Sequence, residues 1–122
     1  MSMSWSDDTT ALSTLKRRIA EFARARDWER YHTPKNLACA TAAEAGELLE
    51  LFLWQDTLPE GKRAQLEAEV ADVAICLLNL CHAAGIDLAA AVERKISDNE
   101  RKYPPEKVRG SAKKYDEYES GE

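Results

Sequence analysis

AAEAGELLELF, residues 42–52, and EAEVADVAICLL, residues 67–78, are the two stretches that decide how this chain folds. Each reads as a largely apolar helix, through Leu48, Leu51 and Phe52 in the first and Val70, Val73 and Leu77 in the second. Each also carries a pair of acids, Glu44 with Glu47 and Glu69 with Asp72. The i, i+3 spacing puts both members of a pair on one helical face. Four carboxylates gathered between two helices would repel and raise one another's proton affinity unless a cation neutralised them, so the pattern predicts a divalent metal site. Every ligand in that site is an oxygen, and no His or Cys stands at a matching spacing, which favours Mg²⁺ or Mn²⁺ over zinc or iron. The same acids also suit the solvated faces of bundle helices, where Glu is a good helix former. Repetition on two successive helices is what favours the metal.

Outward from these stretches, helix signals dominate and the expected fold is all-α, a four-helix bundle assembling as an oligomer. The first helix is predicted over residues 9–28, capped by Asp7 or Asp8, with Leu12, Leu15, Ile19 and Phe22 as its apolar stripe. Thr33-Pro34 starts the second, which runs to about Trp54. A loop around residues 56–61 leads to the third, residues 62–84, stopped by Gly85. A link this short makes helices two and three antiparallel neighbours, bringing Glu44 and Glu47 opposite Glu69 and Asp72. Asp87 caps the fourth, which stops before Pro104-Pro105 and carries Leu88, Val92 and Ile96 on one stripe and Lys95, Asn99 and Tyr103 on another. The expected domain spans residues 1–104, followed by a charged tail, 105–122, without apolar periodicity.

At 122 residues the chain makes one domain with a modest core, which suits a site shared within an oligomer. A net charge of -5 and a pI near 5.1 offer no broad basic surface to displace counterions, so a nucleic-acid polymer is not an expected partner. Cys39, Cys76 and Cys81 are odd in number and match no zinc or redox spacing, and are expected as small reduced core residues. MSMSWSDDTT at the start lacks a basic, apolar leader, and no stretch reaches the ~20 apolar residues of a membrane span. The expectation is a soluble, cytoplasmic protein with no membrane partner.

With the acids, the loop and the fourth helix in place, the chain resembles the MazG-like all-α nucleotide pyrophosphohydrolases, most closely their dCTP pyrophosphatase branch. The resemblance covers about Leu15 to Tyr115. It rests on Glu44-Ala-Gly-Glu47 and Glu69-Val-Ala-Asp72, on FARARDWERYHTPKNL at Phe22–Leu37, on ELFLW at Glu50–Trp54, and on Lys95, Asn99 and Arg101 to Pro104. It implies an enzyme that converts a deoxynucleoside triphosphate to the monophosphate and diphosphate, with dCTP favoured, in nucleotide-pool cleaning. Mg²⁺ would be held by Glu44, Glu47, Glu69 and Asp72. Attack at the α-phosphorus needs an activated water and neutralisation of the leaving group, both of which carboxylate-held Mg²⁺ supplies. Glu47, or Glu44, would take the water's proton.

Lys95, Arg101 and Lys102 are candidates for holding phosphates, with Asn99 and Tyr103 donating hydrogen bonds. A solvated helix end favoured by the helix dipole explains the basic residues equally well. The resemblance places Trp28 and Trp54 at the nucleoside pocket, where stacking would hold a base. His32 would cap the next helix or touch base or sugar; Asn36 would bind substrate or tie down the second helix. His82, on an apolar face, is expected as a satisfied core residue. In animal members of the branch, a His stands where this chain has Ile19 and a Tyr where it has Cys76, both at substrate-contacting positions. Those differences leave the metal centre intact and bear on the choice of base. The family is typically tetrameric, so the expected partners are the nucleotide and further copies of the chain, as a homotetramer or dimer.

Two rival readings are set against this one. A carboxylate-bridged di-iron bundle wants Glu-x-x-His on two helices; Glu29-x-x-His32 satisfies the spacing once, away from both acid pairs. A non-catalytic helical interaction module would carry the acids as a solvated oligomer surface, and would gain no stability from Mg²⁺.

Overall fold

The structure is a computed structural model that describes residues 4–111, and it is helical throughout, with no strand among the described residues. Five α-helices follow in order: α1 (Leu12–Ala25), α2 (Pro34–Glu50), α3 (Arg63–Ala84), α4 (Leu88–Lys102) and the single turn α5 (Pro105–Val108). A 3₁₀ turn at Glu29–Tyr31 links α1 to α2. The chain divides into two compact units, residues 1–86 with α1 to α3 and residues 87–122 with α4 and α5.

In the first unit α3 packs against α1 and, most extensively, against α2. The early residues of α2, Leu37 and Ala40, share a cavity wall with Ile75 and Cys76 late in α3. The end of α2 instead meets Gln65 and Glu69 early in α3. The two helices therefore run antiparallel, as their short link predicts. Ala20 and Ala23 on α1, Leu37 on α2, Leu51, and Leu78 and Cys81 on α3 form the buried core. The alanines let α1 approach closely.

Helix boundaries follow local chemistry. Thr33 caps α2 by accepting a hydrogen bond from the Asn36 amide at 3.1 Å, with Pro34 in the first turn. Asp87 caps α4 by accepting from the Ala90 amide at 3.1 Å. Gly85, at φ 67°, closes α3 in the left-handed region that its missing Cβ leaves open.

The first helix corrects its expected boundaries at both ends. Asp7 and Asp8 cap nothing: residues 6–10 form a turn of their own, in which Thr10 Oγ1 accepts from the Ser6 amide, and Ala11 precedes α1 without a side-chain cap. At the other end Asp27 enters the left-handed region at φ 55°, and the Trp28 amide turns back to donate to the Ala23 carbonyl at 3.0 Å, ending α1 three residues early. α2 likewise ends at Glu50, because the chain tightens into three-residue turns and Trp54 adopts φ 74°. The expected tail begins with α5, whose Pro105 suits a first helical turn, and from residue 112 onward it lies outside the described residues.

Two expectations about burial are also corrected. Only Cys81 of the three cysteines is buried; Cys76 is half-buried and Cys39 is exposed. His82 is exposed, because α3 turns that face toward a cleft with His32 and Glu29 and away from the core. On α4, Val92 and Ile96 of the expected stripe are exposed. No single helix among the described residues is long and apolar enough to cross a membrane.

Candidate active site

Helical periodicity and antiparallel packing bring three of the four acids together. One carboxylate oxygen each from Glu44, Glu47 and Glu69 lie within 4.8 Å of one another. Asp72 stands outside that triad, near enough that its charge raises the proton affinity of both Glu44 and Glu69. Glu44 Oε2 and Glu69 Oε2 are buried and accept no hydrogen bond. No Lys or Arg forms an ion pair with any of the four among the described residues. A group in this condition costs free energy unless something supplies positive charge.

The proton affinities express that cost. Desolvation pushes the Glu44 carboxyl above the usual 4.5, helped by repulsion from Glu47, proton-sharing with Glu47, and the charges of Asp72 and Glu69. Desolvation likewise leads for Glu69, followed by Glu47 and Asp72, with Glu50 contributing. Burial, then the charges of Glu44 and Asp72, push the Cys76 thiol up and hold it neutral. Glu50 was not foreseen as part of this field, although its spacing from Glu47, again i, i+3, was legible.

A cavity of about 600 Å³ opens between α1, α2 and α3, lined by none of the four acids. Trp28, His32, Asn36 and Cys76 line it, as does Ile19. The left-handed Asp27 delivers Trp28 to this wall, where its ring meets Phe22 edge-on at 5.8 Å. The Arg26 guanidinium covers the other ring position, 3.6 Å from the Phe22 centroid. Asn36 Nδ2 donates to the Tyr31 carbonyl at 2.9 Å, so this residue does tie down the start of α2 while also facing the cavity.

Trp54 lines a separate groove of about 570 Å³, with Glu47, Glu50 and Glu69. The structure thus sets the two tryptophans in different cavities, of which Trp54's is the one lined by acids, and Trp54 is 98% exposed. Lys95, Asn99, Arg101 and Tyr103 belong to the second unit, on α4 and its C-cap. There Arg101 is paired with Asp98, one turn earlier, and the Asn99 carbonyl accepts from the Tyr103 amide at 2.8 Å. The solitary Glu29-x-x-His32 match falls on the 3₁₀ turn, where Glu29 pairs with Arg24 at 3.4 Å, outside the acid triad.

Residues 39–118 match the MazG-like family. The chain is 42% identical over 117 residues to human dCTP pyrophosphatase 1, an alignment covering 90% of this chain and 69% of that protein. It is 41% identical over 125 residues to the bovine dCTP pyrophosphatase 1, covering 97% and 73% respectively. The crystal structure of a pyrophosphatase from Archaeoglobus fulgidus superposes with a TM-score of 0.74 at 40% identity, covering 83% of this chain and 99% of that one. The paired acids on two antiparallel helices therefore have the company their spacing suggested: this chain belongs to the MazG-like family.

Proposed function

We infer that this chain is a nucleoside triphosphate pyrophosphohydrolase, converting a deoxynucleoside triphosphate and water to the monophosphate and diphosphate, with dCTP the favoured substrate. The single observation that carries the reading is the acid triad, with two buried oxygens that accept no hydrogen bond among the described residues. Its donor set is all oxygen and crowded with negative charge, which fits Mg²⁺ held by Glu44, Glu47, Glu69 and Asp72 and gives no softer ligand that zinc would prefer. Bound there, Mg²⁺ would neutralise charge on the phosphates and the departing diphosphate.

The protein's own groups carry the rest. Glu47 is the exposed member of the triad and so is open to water. It takes a proton as the water oxygen bonds to the α-phosphorus, and the bond from that phosphorus to the bridging oxygen breaks, releasing diphosphate. Glu44, beside it in the triad, is the alternative acceptor of that proton. Trp28 offers the base a stacking face in the 600 Å³ cavity, with His32 and Cys76 on the same wall. Trp54 contributes from the groove that Glu47, Glu50 and Glu69 line. Lys95, Asn99, Arg101 and Tyr103, on α4 and its C-cap, are the phosphate-binding candidates of the second unit. Exposed Leu49, Leu53, Val70 and Val92 give the chain apolar surface to bury against further copies, as a dimer or tetramer.

The test is a panel of dNTPs, dUTP and NTPs with Mg²⁺ or EDTA, on wild type and Glu47→Gln, resolving mono- and diphosphate products. Mg²⁺-dependent release of monophosphate plus diphosphate, greatest with dCTP and lost in the variant, is the expected result. Folded protein that turns over nothing in the panel would overturn the assignment.

A further inference from the structure

We propose that Asn79 reads the edge of the base, its carboxamide supplying a paired donor and acceptor on the wall of the 600 Å³ cavity. The proposal rests on the pyrophosphohydrolase reading for the identity of its ligand, a nucleotide, and goes beyond it in naming the group that recognises the base.

Position comes first. Asn79 lines the cavity from α3, three residues after Cys76 and four after Ile75, which line it too. These spacings put all three on one helical face. Asp72 lies seven residues earlier on α3, a helical rise of about 10 Å. α3 therefore carries Glu69 and Asp72 of the acid cluster and, two turns beyond Asp72, a carboxamide on the wall of the cavity that Trp28 also lines.

Chemistry comes second. Asn79 interrupts the apolar run CLLNLC, is half-buried, and its side chain makes no hydrogen bond among the described residues. Neither amide atom is sealed from solvent, so both are open to a ligand in a cavity that this residue lines. Asn36 and His32 also line the cavity; one Asn36 amide hydrogen is spent on the Tyr31 carbonyl, and the Cys76 thiol is a weak donor. From α3, the Asn79 carboxamide offers an unused acceptor, Oδ1, beside an unused donor, Nδ2. Cytosine presents the matching pair, an N4 amino group that donates and an N3 that accepts, so two parallel hydrogen bonds form in a largely apolar setting. Turning the amide by half a rotation presents the reverse order to thymine or uracil.

Binding of the product dCMP, and separately of dTMP, to wild type, Asn79→Leu and Asn79→Ala measures the effect without any need for turnover. Leucine matches the shape and alanine relieves crowding, and neither hydrogen-bonds. The expected result in both variants is a roughly tenfold loss of dCMP affinity, with a matching rise in KM for dCTP carrying most of the loss in kcat/KM. Inhibition by inorganic tripolyphosphate, which has no base, keeps its wild-type strength, a readout that general damage to the fold would move. Affinity for dCMP within twofold of wild type in both variants would overturn the proposal, as would a wild type that does not bind dCMP. Diphosphate release from dCTP by wild type in that event leaves the enzymatic reading standing. Base-dependent binding lost at Asn79 without any diphosphate release strikes the enzymatic reading alone.

Discussion

Adding Mg²⁺ to metal-free protein raises its melting temperature, and does so more strongly as pH rises. The reasoning starts from Glu44 and Glu69, whose proton affinities are both raised above the usual 4.5 by desolvation first and by Glu47 next. A carboxyl whose folded pKa lies above its unfolded value binds more protons folded than unfolded. Its contribution to stability is therefore fully present below about 4.5 and is lost as pH climbs through the raised folded values. Metal-free protein thus loses stability on the way to neutral pH, the reverse of the usual salt-bridged carboxylate. Metal binding requires both groups deprotonated, so below their folded values it releases up to two protons and its association constant rises by up to two decades per pH unit. At a free concentration one hundred times Kd the gain is about 2.7 kcal/mol by mass action. For a chain between the small and medium size classes that amounts to roughly 10 °C in Tm. Calorimetric melts in EDTA and in Mg²⁺ at three pH values read the shift, and titrations in two buffers of different ionisation enthalpy count the protons. Equal melting temperatures with and without Mg²⁺, or binding that releases no proton at mildly acidic pH, would refute the argument.

Further substitutions test other parts of the structure. Leu37→Ala removes a core side chain that is 4% exposed, and denaturant melts should show a loss of about 2–5 kcal/mol. Thr33→Ala and Asp87→Ala each delete a helix cap of 3.1 Å, costing about 1 kcal/mol apiece and adding in the double variant, since the caps serve different helices. Trp54→Asn replaces a 98% exposed ring at φ 74° with a residue that tolerates the left-handed region, so stability holds or rises by up to about 1 kcal/mol. The same variant raises KM for dCTP if the ring holds substrate; unchanged KM would remove Trp54 from the site.

How much of this was legible beforehand depends on the range of the interaction concerned. The antiparallel α2 and α3 and the caps at Thr33 and Asp87 depend on spacing and on side chains a few residues away, and they were legible, whereas of the four acids expected together three form a triad and Asp72 stands outside it. The ends of α1 and α2 were misplaced because a left-handed Asp27 stops the first, and three-residue turns at Leu51, Phe52 and Leu53 stop the second before Trp54 turns left-handed. Neither residue type announces that conformation, Trp least of all. His82 shows a second limit: its apolar face was legible, but whether that face meets the core or a cleft depends on where α1 lies. Asn79 sat in plain view as the one amide of an apolar run, and gained meaning only when the cavity placed Trp28 and Cys76 around it.

The backbone at Trp54 and the orphaned oxygens of Glu44 and Glu69 belong to one pattern. A large ring held at positive φ and turned almost wholly to solvent gains nothing from burial in this chain. Two buried carboxylate oxygens without partners, in a field of like charge, gain nothing from the protein either. Trp54 and Glu69 line one groove with Glu47 and Glu50, and in the pyrophosphohydrolase reading a bound metal would supply positive charge to the acids and a base a flat face to the ring. A solvated helical module has no use for either, since an acid that merely solvates a surface would keep its oxygens in water. A site that receives a metal-bound polyphosphate with a base attached uses both at once.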